Sequence, residues 1–311
     1  MKKVVAVAPY WHDRSNNFKT YVYNAWKKCG GETMKSHYPM RFLHGFAYKY
    51  ELPLLYENKK TAQLRFVESK SISFDTFPDY ARYEIIPFVW DCWPSKFERT
   101  CEWFLRHKIK SAVFTSSQTA ERMRERFPHM NILFITEGIN VDLYEGGKDL
   151  KERVINLYEI GSVSRSFFKK KYLEDYKRMC NIPNGWSPRL RKDFLRFLTE
   201  TKVTIIFPKC ITQPNIAGDI ETLTQRYWEC MLSRIVMVGH APKELTDLIG
   251  YNPVIPLDME NPVCQVESII NNIEEYQTLV DKNRESALKY APWDIRINTI
   301  KEWLESCGYS V

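Results

Sequence analysis

The chain has 311 residues, 44% of them hydrophobic and 14% aromatic, with a formal charge of +7. That length suits two α/β domains of about 150 residues better than one ordinary core, and the composition excludes a disordered chain. The basic excess favours anionic partners such as a nucleotide diphosphate or an acidic lipid headgroup; because the basic residues are mixed with 38 acidic ones rather than gathered in a stripe, no nucleic-acid partner is expected.

The opening MKKVVAVAPYW carries a short apolar run that stops at a proline, and no later segment approaches the ~18 apolar residues of a membrane span. The eight cysteines are scattered, with no C-x-x-C pair, which disfavours a zinc site and a disulfide framework. A cytoplasmic protein is expected.

Short β-branched runs predict buried strands at Val4–Ala8, Ile85–Trp90, Ala112–Thr115 and Ile132–Thr136, and again at Val154–Ile160, Val203–Phe207, Ile235–Val238 and Pro253–Leu257. Charged segments with helical spacing lie between them: Lys96–His107, Ser117–Phe127, Glu221–Leu232 and Pro262–Tyr290. Strands alternating with helices imply parallel sheets. The aromatic and basic segment Phe18–Lys28 reads either as an amphipathic helix or as peripheral contact with the inner membrane surface. Composition loosens at Tyr144–Lys151 (YEGGKDLK), which places the boundary between residues 1–148 and 149–311; the final helix, from about Trp293, packs on either domain.

In open α/β sheets ligands bind beyond the carboxyl ends of strands, where this chain carries Trp11-His12-Asp13, Asp91-Cys92-Trp93, Gly161-Ser162 and Gly239-His240. The richest stretch runs from Asp219 through Glu221 and Glu229 to Gly239 as loop, helix and strand. Thr222 or Thr224 is placed to cap the helix, and exposed amides at such a start attract phosphate. On a continuous helix the two glutamates would share a face about 12 Å apart, the scale of a nucleotide diphosphate sugar. Two glutamates on a helix are equally a solvated face.

The spacing Glu221-x7-Glu229, followed by Val238-Gly239 and Pro242-Lys-Glu244-Leu245, resembles the donor-binding segment of retaining glycosyltransferase family 4 and its GT-B relatives. Upstream, the run from Ser111 to Glu121 resembles that family's last N-domain strand and helix, and Gly138-Ile139-Asn140-Val-Asp142-Leu-Tyr144 resembles its "nGvD…F" segment. The resemblance implies two Rossmann-like domains with parallel sheets facing across a cleft, the first for the acceptor and the second for the donor. It implies transfer of a sugar from a nucleotide-sugar donor to a saccharide or lipid-linked saccharide acceptor in surface-polysaccharide synthesis, with retention and without a metal or cofactor.

By the same resemblance Glu229 holds the ribose and Glu221 the donor sugar, with Gly161, Ser162, Thr222, Leu223 and Arg226 completing the donor site. Arg165 and Lys170 fit the basic pair that neutralises the leaving diphosphate, although Lys169-Lys170-Lys171 is also readable as a solvated cluster. Asp91 falls where the family places a polar residue near the reacting sugar; an aspartate turning the chain before proline is the other reading. Trp11, His12 and Trp93 are the remaining acceptor-side candidates. The chain departs from the family in lacking the glycine-rich turn after the first strand and the Glu-Gly-Phe-Gly surroundings of the first glutamate. A GT-B epimerase or hydrolase, and a nucleotide-binding scaffold without turnover, stay open as alternatives.

Overall fold

The computed structural model describes residues 1–9, 18–35, 43–45, 58, 60–160, 166–183 and 191–311. They form two compact units: Met1–Thr136 with Ile216–Ile220 and Trp293–Val311, and Glu137–Asn215 with Glu221–Pro292.

The first unit is built on a parallel sheet of β1 (Lys2–Val7), β2 (Thr33–Met34), β3 (Thr61–Glu68), β4 (Glu84–Trp90), β5 (Ser111–Phe114), β6 (Asn131–Phe134) and the C-terminal strand Tyr309–Ser310. The order is C-terminal strand, β1, β3, β4, β5, β6, with β2 also paired to β1. Side chains alternate across the pleat, so β4 serves two cores at once. Ile86, Phe88 and Trp90 join a cluster with Val22 and Trp26 of α1 (Phe18–Lys28) and with Trp293, Ile297, Ile300 and Leu304. Ile85 and Val89 face the other way, toward Phe104 of α2 (Pro94–Arg106) and Met123 of α3 (Ser117–Arg126).

Strand β3 carries no apolar run for the sequence to announce. Its Gln63 and Arg65 are buried at 0% and 3% exposure, because the Arg65 guanidinium pairs with Asp79 and donates through Nε to Gln63 Oε1 at 3.0 Å. A buried charge is tolerated where pairing and hydrogen bonds replace water. Helix α1 turns Val22, Ala25 and Trp26 to the core, and Phe18, Tyr21 and Tyr23 pack partly buried against it, which favours the amphipathic-helix reading over membrane contact. Among the described residues no helix is long and apolar enough to cross a membrane.

The second unit has a parallel sheet in the order β10, β9, β8, β7, from β7 (Ile155–Leu157), β8 (Thr201–Ile206), β9 (Val236–Gly239) and β10 (Ile255–Pro256). Its helices include α4 (Gln225–Leu232), α5 (Lys243–Ile249) and α6 (Gln277–Tyr290). The long helix expected over Pro262–Tyr290 is interrupted by a 3-10 turn at Ile273–Tyr276.

The turn-rich segment Tyr144–Lys151 lies within this unit, whose chain division from the first falls at Thr136/Glu137. The buried Arg153 guanidinium holds the segment in place by donating to the carbonyls of Gly146, Lys148 and Thr201. Gly147 has φ +69°, and a Cβ there would come within 2.5 Å of the Thr199 carbonyl oxygen. Glycine therefore marks a close backbone approach here rather than a linker.

Candidate functional site

Strand β9 is buried throughout and ends at Gly239, where φ is +145° and a Cβ would meet the Ile206 carbonyl oxygen at 1.9 Å. Only glycine lets the chain leave β9 this tightly, with the His240 amide donating to that carbonyl at 3.0 Å. The Tyr227 hydroxyl on α4 donates to the His240 carbonyl at 2.7 Å, joining the strand end to the helix that precedes it.

Helix α4 begins at Gln225, so Glu221 stands on the loop before it, and the two-turn spacing expected from a continuous helix does not apply. Thr224 occupies the N-cap position without a side-chain cap bond. The Glu137 carboxylate supplies an acceptor instead, taking the Gln225 amide at 3.1 Å, while the Glu137 carbonyl accepts from Trp228 Nε1 at 2.9 Å. Competition from a carboxylate distant in sequence is invisible to a local capping rule. The preceding loop is held by Glu244 of α5, whose Oε2 accepts from the Leu223 amide at 2.7 Å and the Thr222 hydroxyl at 3.1 Å. Thr222 and Leu223 are both buried.

Glu221 is anchored but accessible, with its side chain 29% exposed. Its Oε1 accepts the Lys243 amide at the start of α5 at 2.7 Å and lies 3.2 Å from His240 Nε2. Glu229, the fifth residue of α4, accepts through Oε1 from the Tyr144 hydroxyl at 2.8 Å. Arg226 precedes Glu229 by three residues, one helical turn, and so shares its face. Among the described residues the Arg226 guanidinium has no hydrogen-bonding or ion-pair partner, and its positive charge reaches Lys169.

Lys169 is the inward lysine of its cluster. It is 9% exposed, donates to the Glu159 carbonyl, and lies 5.1 Å and 5.0 Å from the ring centroids of Tyr158 and Tyr176. Burial, with repulsion from Arg226, moves the ammonium below its ordinary pKa against the pull of Glu159. Glu159, 3% exposed, accepts the amides of Phe167, Phe168 and Lys169 at 2.7, 3.2 and 2.8 Å. Burial nevertheless raises its pKa above the ordinary carboxylate value. Lys170, the lysine named from position, is exposed. The sequence did not distinguish them because the one-turn helix Phe168–Lys171 has too few residues to establish a face.

Gly161, Ser162, Arg165, Trp11 and His12 lie outside the described residues. In the first unit, Asp91 follows β4 with φ +54° and is exposed, whereas Trp93 is 8% exposed, so most of its ring is withdrawn from any ligand surface. A left-handed aspartate is tolerated but uncommon, and such positions gather at sites. A cavity of about 260 Å³ in the second unit is lined by Tyr144, Glu145, Leu195, Arg196, Thr199 and Ser233 with Leu143, and includes neither Glu221 nor Arg226. The described candidate donor residues lie on the loop before α4 and on α4 itself.

No protein-family model and no curated protein matches the chain. Solved structures do match along its length. Sucrose-phosphate synthase from Thermosynechococcus elongatus aligns with a TM-score of 0.59 at 11% identity over 99% of both chains. HepE of Anabaena in complex with UDP and glucose aligns with a TM-score of 0.55 at 10% identity, over 98% of this chain and 100% of that one. A glycosyltransferase from Rickettsia africae aligns with a TM-score of 0.51 at 10% identity over 98% of both. At these identities the likeness shows the fold, and that fold is the α/β GT-B architecture implied by the sequence motifs.

Proposed function

We propose that the chain is a glycosyltransferase that binds a nucleoside diphosphate sugar on the second unit and transfers the sugar to a saccharide acceptor. The observation that carries this reading is the pairing of Arg226 and Glu229 on one face of α4: a guanidinium without a carboxylate partner among the described residues, one turn from a carboxylate. A diphosphate needs cations and amide donors, whereas vicinal ribose hydroxyls need an acceptor; these two side chains offer one of each. The likeness over 98% of the chain to HepE, whose structures hold UDP, supports the same reading.

In the reaction the bond between the anomeric carbon and the diphosphate oxygen breaks, and a bond from that carbon to an acceptor hydroxyl oxygen forms as the hydroxyl proton passes to the departing diphosphate. Negative charge grows on the departing diphosphate. Arg226, with Lys169 within electrostatic reach, stabilises that charge from a position set before the reaction begins. Arg165 completes the cationic set in this reading. In this reading Glu221, fixed by the Lys243 amide, orients sugar hydroxyls, and Asp91 is the acceptor-side candidate that the motif resemblance implies. Transfer with retention, independence of metals and cofactors, lipid-linked acceptors, and a place in surface-polysaccharide synthesis at the cytoplasmic membrane face are the finer parts of the proposal. They rest on the motif resemblance.

Calorimetry with nucleoside diphosphates tests the donor site. Glu229→Ala is expected to weaken binding by about 10-fold or more, the scale of a lost hydrogen bond to a charged group. Glu221→Ala is expected to depress turnover with less effect on bare nucleotide. Unchanged affinity and turnover in both variants would refute the assignment.

A further inference from the structure

We infer that Tyr144 is a positioning residue for the donor site: its hydroxyl fixes the Glu229 carboxylate and thereby sets recognition of the nucleotide's ribose. The inference rests on the proposed donor reading and adds a residue that the reading does not contain. Its basis is the 2.8 Å bond from the Tyr144 hydroxyl to Glu229 Oε1.

Three features give that bond a directing role. First, Tyr144 is itself immobilised. It is 4% exposed and packs in the second unit's core with Tyr227, Trp228 and Met231. Its amide donates to the Val141 carbonyl at 3.1 Å. Second, its backbone is tied to the helix that carries Glu229. The Arg284 guanidinium of α6 donates both to the Tyr144 carbonyl, at 3.4 Å, and to the Leu232 carbonyl at the end of α4. The hydroxyl and its acceptor are thus held on one frame, so the tyrosine loses little freedom when it orients the carboxylate. Third, packing in this core needs only the ring of Tyr144; the hydroxyl adds the bond to Glu229.

A carboxylate engaged through one oxygen by a fixed donor has its orientation restricted in advance. Unrestrained, a glutamate on a helix samples several rotamers, and binding must select one. Tyr144 removes that selection before nucleotide arrives. The consequence is specific: the hydroxyl strengthens binding of the ribose, through Glu229, and leaves contacts to base and diphosphate unchanged.

The test uses the full chain, with UDP, GDP, ADP and CDP and their 2′-deoxy counterparts measured by calorimetry against wild type, Tyr144→Phe and Glu229→Gln. In wild type the ribonucleotide binds more tightly than the deoxynucleotide. Tyr144→Phe, which keeps the ring, is expected to weaken the ribonucleotide about 5-fold, to affect the deoxynucleotide little, and so to shrink the ratio between them, within the range of the net contribution of one hydrogen bond. A merely structural tyrosine would lower both affinities together or neither. If Glu229→Gln loses ribose discrimination while Tyr144→Phe keeps the wild-type ratio, the role of Tyr144 is overturned and the donor reading stands. If no nucleotide binds wild type, or Glu229→Gln discriminates as wild type does, the donor reading itself fails, and the role of Tyr144 with it.

Discussion

His107 packs against the rings of Tyr80 and Trp103, at centroid distances of 4.4 and 4.6 Å. Burial, helped by the neighbouring Arg106 guanidinium, lowers its pKa to about 4. Between pH 6.5 and 4 the unfolded chain binds a proton that the folded chain refuses, so stability present above pH 6.5 is lost as pH falls. The loss is about 1.4 kcal/mol per unit across that window. Denaturant titrations at pH 7 and pH 4.5 are expected to show a drop about 2 kcal/mol smaller in His107→Gln than in wild type. Gly239→Ala belongs to the same scale: with φ +145° and no room for a Cβ, it is expected to cost about 2 kcal/mol or more in a denaturant titration. Residues of this kind were legible in part. Gly239 and Glu229 stood out by place in a pattern, but the partners that give them meaning, Ile206 and Tyr144, lie far away in sequence. Lys169 was hidden beside two other lysines, and its burial depends on Glu159 and two tyrosines that the fold brings to it.

Elements that the sequence announced are those whose apolar residues follow one period. Strands β4, β5 and β9 were legible for that reason. Strand β3 was not, because Gln63 and Arg65 break the pattern and are satisfied only by partners such as Asp79. Helix α4 was legible in identity but not in its start, since its first amide is taken by Glu137 rather than by a nearby threonine. That difference moves Glu221 from a helix face to a loop, where Lys243 and His240 meet it. Glu137→Ala is accordingly expected to destabilise the second unit by about 1 kcal/mol, the scale of a lost cap, measurable as a lowered denaturation midpoint. Thr224→Ala, which removes no cap bond, is expected to change it by less than about 0.5 kcal/mol.

At the scale of the whole molecule, two α/β units with parallel sheets followed from the alternation of strands and helices. Their chain limits did not, because turn residues at Tyr144–Lys151 mark a loop bound by Arg153 instead of a junction. The C-terminal helix Trp293–Ser306 returns to the first unit, and its last strand pairs with β1 at Lys2 and Lys3. Removal of residues 293–311 is therefore expected to strip hydrogen-exchange protection from β1 and β3 while β8 and β9 keep theirs.

In the function proposed, the second unit binds a nucleoside diphosphate through Arg226 and Glu229. The most direct test of this is calorimetric titration of wild type, Arg226→Ala and Glu229→Ala with UDP, GDP, ADP and CDP, each variant first shown to melt as wild type does. Saturable binding of one diphosphate by wild type, weakened about 10-fold or more in both variants, is the predicted result. Wild-type affinity in both folded variants, or no binding by wild type, would contradict it.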